Sequence, residues 1–211
     1  MKTTKRISQI IGIVLCFLVT LPSCAPVFSD LQSARTLGKG QFEATPFYTN
    51  TGKDSEFKGV SHVGANLGLG LSEKIDVRAR IERNWYNGEE DTGYTIVGIG
   101  PKFSVIENRI SFFLPVGRAL GEGTNQTWQM QPTVFLTQPI IKEKLEFTLA
   151  PKYLFNFCED CSGNFATNFG ISASKDFSKY AWRAEYGRIF SDGGGIGQLS
   201  IGISFVLGKK E

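Results

Sequence analysis

The chain holds one histidine, His62, and its neighbour is Ser61. A hydroxyl beside an imidazole is part of a hydrolytic triad, which also needs an acid and a base within reach of the nucleophile. In an extended segment adjacent side chains point to opposite faces, so Ser61 is not the partner of His62. The expectation is a polar histidine without catalytic work, and no catalytic residue is assigned. Cys158-Glu-Asp-Cys161 is the other local motif. In the cytosol such a spacing reads as a redox pair or half of a zinc site, but a second pair and further histidines are absent from the sequence. In an oxidising compartment Cys158 and Cys161 form a small loop disulfide; free or metal-binding thiols and a redox pair are the alternatives. Glu159 and Asp160 read as solvated loop charges, so no metal and no cofactor is expected. Gly193-Gly-Gly195 lacks the following helix and the Lys-Ser/Thr pair of a phosphate cradle, and reads as a loop tip.

Composition says what positions these groups. Of 211 residues, 24 are Gly and 17 are Phe, with one His and two Met, a bias towards strands and turns. The formal charge of +3 resides in Lys2, Lys5 and Arg6; without them 20 basic residues face 20 acidic ones. A neutral remainder gives no electrostatic reason to bind nucleic acid.

Those three cations precede an apolar run from Ile10 to Leu21, twelve residues where a membrane-spanning helix needs about 20. A basic stretch before a short apolar one is a secretory signal, placed at 1–23; a buried core helix is the alternative. Leu21-Pro-Ser-Cys24 resembles the lipobox of bacterial lipoproteins, with Pro22 departing from the usual small residue. The resemblance implies lipidation of Cys24 and a bacterial envelope with an outer membrane; ordinary cleavage near Ala25 is the alternative. Residues 24–40 are read as a periplasmic linker, with a short helix capped at Ser29-Asp30-Leu31, running through Leu37 and ended by Gly38 and Gly40.

From Gly40 onward apolar and polar residues alternate. Val63 to Leu71, Ile75 to Ile81, Leu145 to Phe155 and Leu199 to Leu207 each show the period of two that marks a strand. Ten strands are expected, at about 41–51, 59–71, 75–86, 93–105, 109–119, 127–138, 144–156, 165–175, 179–190 and 197–207, each edge uncertain by about two to four residues. Short connections alternate with longer Gly- or acid-rich ones. The strand starts at Ile75, Ile110, Leu145 and Tyr180 recur every 35 residues, a repeat of hairpins within one sheet.

Periodicity does not say which face meets water: a soluble lipocalin-like barrel is apolar inside, a transmembrane barrel apolar outside. Strands of about eleven residues tilted by about 40° rise about 28 Å, close to the hydrocarbon thickness. Aromatic residues collect at both ends of the apolar face: Trp85, Trp128, Phe157, Phe165 and Phe190 near the long loops, Phe103, Phe147, Phe177, Tyr180 and Trp182 near the short turns. With the alternating loop lengths, residues 41–208 resemble the small bacterial outer-membrane β-barrel proteins. The fold expected is all-β, an antiparallel up-and-down transmembrane barrel of about ten strands. The ending Ser204-Phe-Val-Leu-Gly-Lys-Lys-Glu211 departs from the terminal aromatic of that family, with Phe205 close by. The resemblance implies the outer-membrane bilayer and the barrel-assembly machinery as partners, and both termini on the periplasmic side. Nothing in the sequence names an extracellular partner.

The strand faces opposite the apolar ones carry Glu43, Asp76, Arg78, Arg80, Glu82, Lys102, Glu146, Lys152, Arg183 and Glu185, five of each sign. Charges in a narrow lumen are costly unless paired, so they are expected to interlock as a salt-bridge network that closes the lumen. The reading is a non-enzymatic outer-membrane barrel with a structural or surface-interaction role. A small-solute channel is the second reading, and a membrane-embedded hydrolase the third, its characteristic Ser, His or Asp patterns being unmatched here.

Overall fold

A computed structural model describes residues 29–52, 59–87, 93–121, 124, 127–157, 163–191 and 194–208. The signal segment at 1–23, Cys24 and the Cys158–Cys161 pair lie outside the described residues.

Alternating apolar and polar residues build twelve strand segments: β1 (Phe42–Thr51), β2 (Val60–Ser72), β3 (Ile75–Tyr86), β4 (Gly93–Ile106), β5 (Ile110–Phe113), β6 (Val116–Leu120), β7 (Trp128–Met130), β8 (Thr133–Ile141), β9 (Leu145–Asn156), β10 (Asn164–Ala173), β11 (Tyr180–Ser191) and β12 (Gly194–Leu207). Among the described residues they form ten staves. Segments β5 and β6 both pair with β4 on one side, and with β8 and β7 on the other. The fifth and sixth staves, expected to be continuous, are interrupted at Leu114-Pro115 and Gln131-Pro132. Proline has no N–H to give a ladder and breaks it. The neighbouring amides hold the breaks together: Leu114 N–H donates to the Pro101 carbonyl (3.0 Å), Gln131 N–H to Pro115 (3.0 Å) and Tyr153 N–H to Pro132 (3.2 Å).

All pairings are antiparallel, and β12 returns to β1 in register from Phe42↔Leu207 to Thr51↔Gln198. The sheet is therefore a closed ten-stave barrel. The short turns seat Asn108 and Glu143 at φ 56° and 58°, the left-handed conformation that tight turns demand. Burial is inverted relative to a soluble barrel. Trp182 and Ile99 are 60% and 58% exposed on the outer wall, while Lys102 and Glu146 are 1% and 0% exposed inside. An apolar exterior around a polar interior suits a wall that faces hydrocarbon, and the lipocalin-like alternative requires the reverse.

Residues 29–37 depart from the expected linker. They form no helix. They run inside the barrel, with Ser29, Asp30, Leu31, Gln32, Ser33, Ala34 and Leu37 all buried. Leu31 sits at φ 50°, which no right-handed helix accommodates. The lumenal side chains satisfy this backbone in place of i→i−4 bonds, which is why the capping signal at Ser29-Asp30 does not start a helix. The segment leaves the lumen at the short-turn end, where the Gly40 N–H donates to the Gly70 carbonyl (2.9 Å). A Cβ on Gly70 would lie 2.0 Å from the Gly38 carbonyl oxygen, so only glycine lets the two backbones approach there.

Candidate functional site

The lumen is the site, and all ten charged residues expected there face into it. Period-two alternation on β1, β3, β4, β9 and β11 delivers them: Asp76, Arg78, Arg80 and Glu82 share one face of β3. Two clusters pair within the wall. The Arg78 guanidinium donates to Glu43 (Nη1, 2.8 Å) and to Asp76 (Nη2, 2.7 Å; Nε, 3.2 Å). Arg80 donates to Glu82. Arg183 stands 3.7 Å from Glu43 and donates to Ser204 (2.6 Å) and Ser172 (3.1 Å).

Six of the ten charges hold residues 29–37, Asp76 and Arg80 doing so in addition to their wall partners. Glu185 accepts the N–H groups of Asp30 (2.8 Å) and Leu31 (3.0 Å). Asp76 accepts that of Leu37 (3.0 and 3.2 Å). Lys102 donates to the carbonyls of Ser33 (2.6 Å) and Arg35 (2.8 Å), and its ammonium lies 5.0 Å from the Phe135 ring. Arg80 reaches the Ser29 carbonyl. Lys152 pairs with Asp30, and Glu146 takes Arg35 (Nε, 2.7 Å). The network expected from sequence is thus present in part. Some of the charges pair with one another, and residues 29–37, expected from the sequence to be a linker, complete others.

Sequence reasoning missed Asp30 and Arg35, which add one charge of each sign, together with their uncharged partners. Asn66 donates to the Asp30 carbonyl (2.8 Å), Asn168 to the Asp30 carboxylate (3.1 Å), and Thr137 accepts the Ala34 N–H (2.8 Å). Ala34 also packs with Phe113, Phe135 and Ala150. The inward polar alternation of β2, β8 and β10 was the available signal. Phe177, placed in the short-turn girdle from sequence, instead stacks under the Arg35 guanidinium at 4.6 Å.

His62 is wholly buried in the lumen. Its Nε2 lies 2.8 Å from the Thr51 hydroxyl and its Nδ1 3.4 Å from Glu82. Ser61 turns away to Tyr48 (3.1 Å), Asn50 (3.3 Å) and Asn87 (2.8 Å). The hydroxyl–imidazole–carboxylate line therefore runs through Thr51, a secondary alcohol sealed from solvent, and Glu82 is already committed to Arg80. Among the described residues, no three His, Cys, Asp or Glu side chains gather as metal ligands would.

No family model matches the chain, and no curated protein does. Three solved structures to which it is similar come from bacteria. The translocator domain of the autotransporter NalP from Neisseria meningitidis is 8% identical, covering 97% of both chains at a TM-score of 0.47. Ail of Yersinia pestis is 12% identical over 80% of this chain and 99% of its own, at 0.40. The N-terminal β-barrel domain of Pseudomonas aeruginosa OprF is 8% identical over 81% and 100%, at 0.37.

Proposed function

We propose that this chain is a bacterial outer-membrane β-barrel whose lumen is closed to solutes, with a structural or surface-interaction role and no enzymatic activity. The observation that carries the reading is the filled lumen: residues 29–37 occupy it, and wall charges complete their backbone. The apolar outer wall supports insertion in hydrocarbon, and the signal-like start with Cys24 supports export and a lipid anchor. The sealed Thr51 hydroxyl beside His62 supports a non-catalytic histidine.

In planar bilayers the purified protein is expected to give no steady ion conductance; steady conductance would overturn the closed lumen in favour of a channel. Detergent extracts should migrate differently in gels before and after boiling, and the protein should fractionate with outer membranes; a water-soluble monomer would reject the membrane reading. Labelled palmitate should enter the wild type but not Cys24→Ala. Label retained in the variant would place the lipid elsewhere.

A further inference from the structure

The contacts that hold residues 29–37 are aimed mostly at what every polypeptide has in common. The N–H groups of residues 30, 31, 34 and 37 are accepted by Glu185, Thr137 and Asp76. The carbonyls of residues 29, 30, 33 and 35 are met by Arg80, Asn66 and Lys102. A lumen that only needed filling could close through pairs within the wall, as Arg78 does with Glu43 and Asp76. Glu185 keeps one bond from the wall, donated by Asn168 (3.1 Å), yet gives both carboxylate oxygens to the segment's main chain, and Lys152 reaches Asp30. Side-chain selection is strongest at the acid at 30, the base at 35 that lies between Glu146 and Phe177, and the small residue at 34 packed among Phe113, Phe135 and Ala150. Gln32 meets Lys102 only at 3.4 Å, and Thr36 makes an exposed bond to the Glu73 carbonyl.

From this we infer that the lumen is a binding site for a non-helical peptide, recognised through its main chain, and that residues 29–37 occupy that site in cis. A peptide from another chain fits where an acidic residue precedes a basic one by five positions, with a small residue just before the base. The inference deepens the closed-lumen reading and rests on it; the conductance of the wild type tests that reading separately.

The test uses the full-length protein in detergent, with two variants that unseat the segment while leaving every wall anchor in place. Leu31→Pro removes the N–H that Glu185 accepts and forbids the φ of 50°. Ala34→Glu drives a charge into the Phe113–Phe135 cluster. Two readouts are taken on the folded fraction, defined by the boiling-dependent gel shift: tryptic cleavage of the Arg35–Thr36 bond, and binding of a fluorescent, end-blocked decapeptide with the sequence of Ser29–Gly38. The wild type should resist cleavage there and leave the peptide unbound. Each variant should be cleaved and should bind the peptide. Replacing the peptide's residues 32, 33 and 36 by alanine should leave binding within about threefold, whereas alanine at both 30 and 35 should weaken it by roughly tenfold or more. A folded variant that exposes the bond yet binds no peptide would overturn the inference. So would a bond that stays protected in both variants, or the failure of both to fold, because the segment would then be part of the barrel's core rather than its ligand.

Discussion

Arg78→Ala removes one guanidinium that serves two buried carboxylates. Arg78 is held at 2.8 Å from Glu43 and 2.7 Å from Asp76, in space that Gly68 leaves open: a Cβ there would lie 2.6 Å from its Nη1. Breaking a buried pair by deleting one partner costs about 3–5 kcal/mol, because the other charge stays buried without compensation. Here each stranded carboxylate keeps something: Asp76 the Leu37 N–H at 3.0 Å, and Glu43 the more distant Arg183 at 3.7 Å. The expected loss is therefore at the low end, about 3 kcal/mol. Urea unfolding in phospholipid vesicles, followed by the fluorescence of Trp85, Trp128 and Trp182 on the outer wall, reads it directly. Adding Glu43→Gln should make the double variant less costly than the two single losses together, by about 1–2 kcal/mol, since one stranded charge is then gone. A loss below about 1 kcal/mol for Arg78→Ala, or strict additivity, would show that these charges are hydrated rather than paired.

Gly100→Ala should destabilise by about 1–3 kcal/mol in the same assay, because its Cβ would meet the Leu114 carbonyl oxygen at 2.3 Å and the Pro115 Cα at 2.5 Å. Gly98→Ala, two residues away with nothing nearer than 3.5 Å, should be close to neutral; equal losses would discount the backbone contact. Thr137→Val keeps the volume but leaves the Ala34 N–H without its acceptor, at a cost of about 1–3 kcal/mol, and an unchanged midpoint would count against it. In the water-facing turn after β10, hydrogen bonds from Ser178 and then Lys179 hold the Asp176 carboxyl below its ordinary range. Their small contribution is present above the ordinary carboxylate pKa and lost as pH falls through the lowered one; in NMR titration Ser178→Ala should raise the midpoint, and an unmoved midpoint would refute the assignment. Cys158 and Cys161 should resist alkylation until a reductant is added, and immediate modification of both would reject the disulfide.

The barrel wall was legible because strand pairing writes itself locally. Period two put Asp76, Arg78, Arg80 and Glu82 on one face and gave ten staves, while strand length, aromatic ends and alternating loop lengths told which face meets lipid. The interruptions at Pro115 and Pro132 carry a local signal too, which a strand pattern reads past when apolar residues continue on either side. The lumen's contents were not legible. Residues 29–37 show no period, since their partners are scattered over most of the staves, and Ser29-Asp30 resembles a helix cap until Lys152 claims the Asp30 carboxylate. Charges alone gave the sign balance of the network but not its connections: Glu185 looks the same in sequence whether it meets a lysine or two amides.

The lumenal segment also fixes an order in time. Its contacts are remote along the chain: 103 residues separate Ala34 from Thr137, 111 separate Arg35 from Glu146, and 155 separate Asp30 from Glu185. Contacts so distant are made slowly, because loop-closure entropy is lost before they give anything back. What is synthesised early is thus seated late, after β8, β9 and β11 exist to receive it. Of these, β11 also pairs with β12, which closes on β1, so the anchor of Asp30 stands beside the seam that seals the wall.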